Sequence, residues 1–225
     1  MMRSTDCFLT THAGSLPRPD DLVRIMYAKE EGQAVERAEL ASHVRNAVAG
    51  VVARQKGAGV DIINDGEMSK PSYATYVKDR LSGFGGTGNT FVYQDLADFP
   101  NLAKRVFGDP GRSRRKTQAC NGPIAFRDTE AVRIDIENLA TAIGTSERPQ
   151  AFISAASPGV ISLFFRNDYY SSADAYLEAI AAACGLNMKL SSPPALICRS
   201  TVPIWRWAGI FSTRASTLPS SANGQ

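Results

Sequence analysis

After Glu178 the sequence contains no aspartate or glutamate; all 22 of its acids lie at or before that residue. Solvated faces of folded domains normally mix both signs of charge, so this acid-free end stands apart from the rest. Histidine is nearly absent as well, with only His12 and His43. There is no C-x-x-C pair, and Cys7, Cys120, Cys184 and Cys198 are widely spaced. That pattern excludes a disulfide framework and fits free thiols in a reducing compartment. No apolar run approaches the length of a membrane span, so no membrane partner is expected. Asp6 and the flanking threonines precede any long apolar run, which argues against a signal peptide and for a cytoplasmic protein. The net charge of +3 is too weak to indicate nucleic acid. No G-x-G-x-x-G follows the first strand-like run, which speaks against a dinucleotide site.

What is present reads as alternating strands and helices. Residues 7–11 are a short β-prone run, ending in the turn-forming segment 12–19. Asp20 opens a helix carrying Leu22, Val23 and Met26, and a longer helix is expected over 36–57, where Leu40, Val44, Ala47, Val48, Val51 and Val52 recur at helical spacing. Residues 60–64 form a second strand candidate, 116–125 a third and 150–155 a fourth; helices are expected over 128–143 and 172–183. Residues 83–115, rich in Gly, Asp and Pro, read as a long excursion. Four strand–loop–helix units imply parallel strands, as in a (β/α)8 barrel or a doubly wound sheet. In a barrel, chemistry gathers where strands end, and the polar clusters fall there.

Asp65-Gly66-Glu67 follows directly on an apolar strand. A carboxylate there can receive a substrate ammonium; it can equally cap the next helix or pair with Lys70 and Arg80. His12 and Ser15 bracket Gly14, which permits close backbone approach to a ligand or simply makes a tight turn. Ser154 and Ser157 flank the turn before Pro158. Arg112, Arg114, Arg115 and Lys116 either meet an anionic substrate tail or form a solvated loop. His43 sits mid-helix and reads as structural.

Four segments in order carry a more specific signal: T-H-A-G-S-L-P-R-P at 11–19, V-D-I-I-N-D-G-E-M-S-K-P-S-Y at 60–73, R-L-S-G-F at 80–84 and I-S-A-A-S-P-G-V-I at 153–161. Together they resemble the cobalamin-independent methionine synthase family, closest to its short single-barrel members, from about residue 7 to 183. The resemblance implies a (β/α)8 TIM barrel and transfer of a methyl or alkyl group to a thiol. It implies a zinc ion that holds the homocysteine sulfur as a nucleophilic thiolate, a methyl-folate donor, and an amino-acid thiol as acceptor. Carried onto this sequence, Gly14 and Ser15, with His12 beside them, would border the amino-acid end of the substrate. Asp65 and Glu67 would belong to the same pocket, Glu67 meeting the ammonium group. Ser157 would lie at the donor side.

The family's zinc ligands are a His-x-Cys pair, a Glu and a later Cys. This sequence has no H-x-C and no histidine after His43. Residues 1–183 are therefore expected to supply the first four β/α units of the barrel, and 184–225 an aberrant, disordered tail. A one-base frameshift near Ala183 accounts for the tail. Codons can be chosen for residues 183–210 that restore the family-like text A-G-F-D-L-Q-I-D-C-P-D-L-A. Some positions leave no choice: Met188 before Lys189 forces Glu, and Trp207 before Ala208 forces Gly. The expected consequence is a methyltransferase lineage whose present chain is inactive alone. The alternatives are a non-catalytic half-barrel that binds a thiol or folate, and alkyl transfer to another thiol such as coenzyme M.

Overall fold

A computed structural model describes residues 5–72, 75–88, 96, 98–107, 118–127, 129–144, 150–190 and 196–201. The basic run Arg112, Arg114, Arg115 and Lys116 lies outside the described residues.

Helix α1 (Asp20–Glu30) starts straight after Pro19, with Asp20 and Asp21 in its first turn and Lys29 in its last, an order that suits the helix dipole. Helix α2 (Arg37–Gly57) buries Val44, Ala47, Val48, Val51, Val52 and Gln55, the three-and-four spacing of a single face. His43 Nδ1 lies 2.9 Å from Asp21, so this histidine ties α2 to α1. The chain then enters strand β1 (Ile62–Asn64). The run at 7–11 contributes a parallel bridge between Thr11 and Ile62, and Thr10 O accepts from Ile62 N at 3.0 Å.

Helix α3 (Val77–Arg80) is a single turn leading to strand β2 (Phe84–Gly85). Helix α4 (Pro100–Phe107) lies within the excursion. Here the structure departs from the sequence reading. Of the proposed third strand, the described part gives only β3 (Ala119–Cys120), which pairs antiparallel with β2 and lies outside the parallel sheet. The cause is local: Asn121-Gly122-Pro123 interrupts the run, and Pro123 has no N–H to give a ladder. Helix α5 (Glu130–Ile143) returns the chain to strand β4 (Gln150–Ala156), which pairs parallel with β1 in the register Ile62–Gln150 to Asn64–Phe152.

Helix α6 (Pro158–Phe164) is capped by Ser157, whose Oγ accepts from Val160 N at 3.3 Å, with Pro158 in the first helical position. Helix α7 (Ala173–Leu190) begins where Ser172 Oγ accepts from Ala175 N at 3.1 Å. It runs past Ala183, and strand β5 (Leu196–Thr201) adds to β4 in parallel. Residues 184–190 thus continue a helix and 196–201 form a strand. Residues 179–188 are rich in helix formers, and Leu196-Ile197-Cys198 is a β-prone run lying against an open strand edge. Four parallel elements stand side by side: the Thr11 bridge, β1, β4 and β5. Three of them were read in the sequence; 116–125, expected between β1 and β4, is not among them, and 196–201 adds on the other side of β4.

Two apolar cores hold this frame. Leu22, Met26, Val44, Val48, Val51, Val52 and Leu139 pack α1, α2 and α5 onto Ile63, Ala151 and Ile153 of the sheet. Tyr76, Leu81, Phe84, Val160, Ile161, Phe165, Tyr176 and Ile180 form the second. Because side chains alternate along a strand, Ala151 and Ile153 of β4 join the helix-packed core while Phe152 and Ser154 turn to the opposite face.

Candidate substrate-binding site

The turn after β1 is built by its own side chains. Asn64 Oδ1 accepts from Gly66 N at 2.7 Å, and Asp65 Oδ1 accepts from Glu67 N at 3.1 Å. Gln55 of α2 clasps the strand end, donating to Asn64 O at 2.8 Å and accepting from Asn64 N at 3.1 Å. Gly66 has φ +62°, the left-handed region that favours glycine, and a Cβ there would crowd Leu16 Cβ at 3.2 Å and Val51 Cγ1 at 3.3 Å. Glu67 follows at φ +57°, the one left-handed non-glycine among the described residues. That conformation costs about 1–2 kcal/mol, and such strain concentrates at functional sites. Arg18 holds the turn from the first loop, donating to Glu67 O at 2.8 Å and Lys70 O at 2.6 Å, while Leu16 N donates to Gly66 O at 3.1 Å.

These ties bring three elements to one point. A Cβ on Gly14 would lie 2.7 Å from Glu67 Oε1 and 2.8 Å from Ser154 Oγ, so the first loop, the turn after β1 and strand β4 meet where Gly14 has no side chain. Glu67 is 2% exposed and Ser154 3% exposed. Glu67 Oε2 and Ser154 Oγ have no hydrogen-bond partner within the fold. The Ser154 hydroxyl is still near enough to favour the charged form of Glu67. Buried acceptors left open in this way are uncommon and costly, about 1–3 kcal/mol each.

The electrostatics around the carboxylate are crowded. Burial pushes Glu67 above its ordinary range; Lys70 opposes the rise and Asp65 adds to it. Asp65 is likewise raised by burial, against the pull of Lys70. Lys70 is buried; that burial works against its charge, yet Asp65, Tyr76 and Asp135 hold it above the usual lysine value, and it stays an ammonium. Its Nζ donates to Ser154 O at 2.6 Å and lies 5.3 Å from the Tyr76 ring centroid. Arg80 covers the same ring at 4.9 Å and pairs with buried Asp135 at 2.6 Å.

Of the residues singled out in the sequence, Gly14, Asp65 and Glu67 come together here, with Asp65 turned to internal work in the turn. His12 and Ser15 are exposed and stand outside the buried cluster. Ser157 caps α6. The pairing of the Asp-Gly-Glu turn with Lys70 that the bland reading foresaw is present as charge coupling, while Arg80 bonds Asp135 instead. Sequence reasoning gave no role to Tyr76 or Asp135 and little weight to Ser154. The only available signal for Ser154 was a lone polar residue in the apolar run 151–156.

Among the described residues, no group of three or more His, Cys, Asp or Glu side chains is placed to hold a metal ion. Cys7 is exposed, Cys184 half-buried, and buried Cys120 donates to Gly122 O at 3.5 Å. The described residues therefore do not by themselves fit a zinc site. No helix among the described residues is long and apolar enough to cross a membrane.

Residues 8–140 match the family described as cobalamin-independent synthase, catalytic domain. A methionine synthase of Sulfolobus acidocaldarius is 27% identical over 163 residues, covering 72% of this chain and 42% of that protein. A 5-methyltetrahydropteroyltriglutamate–homocysteine methyltransferase of Mycobacterium tuberculosis is 28% identical over 110 residues, 48% of this chain and 14% of that one. Among solved structures, a B12-independent methionine synthase from a Shewanella species, in complex with selenomethionine, superposes with TM-score 0.57 at 18% identity, covering 81% of this chain and 47% of its own. A putative vitamin-B12 independent methionine synthase from Listeria monocytogenes gives TM-score 0.57 at 18% identity, with 86% and 52% covered. The structural likeness shows a shared α/β fold of the TIM-barrel class. The chain spans about half or less of the length of these relatives.

Proposed function

The chain belongs to the cobalamin-independent synthase catalytic-domain family, and from that premise we propose that its Glu67 site receives the ammonium end of an amino-acid thiol. Homocysteine is the acceptor best supported, since a similar protein is named for methyl transfer to it. One observation carries the reading: Glu67 Oε2 is buried and without a partner, on a backbone held left-handed, with its other carboxylate oxygen packed against Gly14. A carboxylate kept in that state gains most from a cation brought to it.

In this reading Gly14 lets Glu67 and Ser154 pack against the first loop, and Glu67 binds and orients the ammonium. Asp65 is an inner carboxylate that balances Lys70 and shapes the turn. His12 and Ser15 form the outer rim, and Ser157 supports the donor side by fixing α6. The lineage's reaction is methyl transfer from a methyl-folate to sulfur. Lacking a His-x-Cys pair, this chain binds the thiol without activating it. The second reading is a non-catalytic binding module. The Thr11 segment, β1 and β4 are read as consecutive inner strands of a barrel, and 184–225 as an out-of-frame segment, supported by its lack of acids. Resequencing the gene across the Ala183 codon tests the last point.

Calorimetric titration with homocysteine and with 2-mercaptoethanesulfonate tests the site. Homocysteine is expected to bind more tightly, and Glu67→Gln to remove that preference. Equal binding of both thiols, or an unchanged preference in the variant, refutes the assignment. Transfer of methyl to homocysteine by this purified chain would refute the non-catalytic reading.

A further inference from the structure

We propose that Ser154 is a ligand-contacting residue which, together with Glu67, selects a primary ammonium group over N-methylated amines. The inference rests on the Glu67 reading and extends it to a residue on a different element.

Ser154 sits on β4, on the face opposite Ala151 and Ile153. Its main-chain oxygen is taken by Lys70 Nζ at 2.6 Å, which fixes the residue through its backbone rather than its side chain. The hydroxyl is 3% exposed and has no partner within the fold. The neighbouring positions 151, 155 and 156 are alanines, so a filler at 154 needs no oxygen. Gly14 supplies the second observation. Its missing Cβ would approach Glu67 Oε1 and Ser154 Oγ at 2.7 and 2.8 Å, so both oxygens converge on the same glycine. A primary ammonium carries three N–H donors. Glu67 offers one acceptor and Ser154 another from a separate strand, and each N-methyl group removes a donor and adds bulk where the glycine leaves little room. Glu67 supplies the charge and Ser154 counts the hydrogens.

The test uses the full chain and calorimetry with homocysteine, its N-methyl derivative and its N,N-dimethyl derivative. Wild type is expected to prefer homocysteine over the dimethyl compound. Ser154→Ala is expected to lose about tenfold in homocysteine affinity, the scale of one charge-assisted hydrogen bond, and to lose the discrimination. Ser154→Cys, which keeps the volume with a poor acceptor, is expected to behave like the alanine variant, and a melt of each ligand-free variant certifies folding. Glu67→Gln is expected to weaken all three ligands alike. Wild-type affinity and selectivity in either folded Ser154 variant overturn the role of Ser154 and leave Glu67 standing. An unchanged Glu67→Gln, or no binding of any of the three ligands by wild type, overturns both.

Discussion

The ammonium of Lys70 donates to the main-chain oxygen of Ser154 at 2.6 Å, joining the turn after β1 to the middle of β4 across 84 residues of sequence. This buried cation is both a structural tie and the main positive field acting on Asp65 and Glu67. The turn that carries Glu67 is therefore anchored by the same residue that moderates its charge.

Removing that tie should be expensive. Lys70→Met removes the side-chain donor to the Ser154 carbonyl and leaves Asp65 without its strongest cationic neighbour. The expected loss is about 3–5 kcal/mol, the scale of breaking a buried charge pair, read as a large drop in the denaturant midpoint. Adding Asp65→Asn should recover part of it. A melt unchanged in Lys70→Met would remove the lysine from this structural role.

The pH behaviour of Glu67 follows from its raised value. A carboxyl whose folded pKa lies above its unfolded one contributes stability fully present below the unfolded carboxylate range. That contribution is lost as pH rises through the folded value. Ligand-free Glu67→Gln is thus expected to be more stable than wild type at neutral pH, by roughly 1 kcal/mol, with the gap closing below about pH 4. Thermal melts across pH read this directly; an advantage that grows in acid would contradict the sign.

Ligand binding has the opposite demand, because an ammonium needs Glu67 ionised. Homocysteine affinity is expected to fall as pH drops through the raised Glu67 value, earlier than for an ordinary glutamate. Titrations between pH 4 and 8 would show it, and a flat profile would argue that another group receives the ammonium.

Gly14→Ala places a methyl group 2.7 Å from Glu67 Oε1 and 2.8 Å from Ser154 Oγ. The expected result is loss of thiol binding by more than tenfold, with a stability cost of about 1–3 kcal/mol for overpacking. Full binding in a folded Gly14→Ala chain would place the ligand elsewhere.

Ser157→Ala separates cap from site. Loss of the N-cap of α6 is expected to cost about 1 kcal/mol while homocysteine affinity stays at the wild-type value. A fall in homocysteine affinity without a fall in stability would instead place Ser157 in direct contact with the thiol ligand.

Helical spacing in 44–52 was enough to fix most of the buried face of α2, since that face is set by periodicity, and Asp-Gly-Glu after an apolar strand singled out the buried turn from local chemistry. Strand partnership was another matter. Residues 119–120 and 196–201 both form strands, yet one pairs with Phe84–Gly85 and the other with β4, a choice made by long-range geometry that no local pattern encodes. The same holds for the cluster itself. Gly14, Glu67 and Ser154 are far apart along the chain and individually ordinary; only the packing of the first loop, β1 and β4 brought two unsatisfied oxygens to the one place without a side chain.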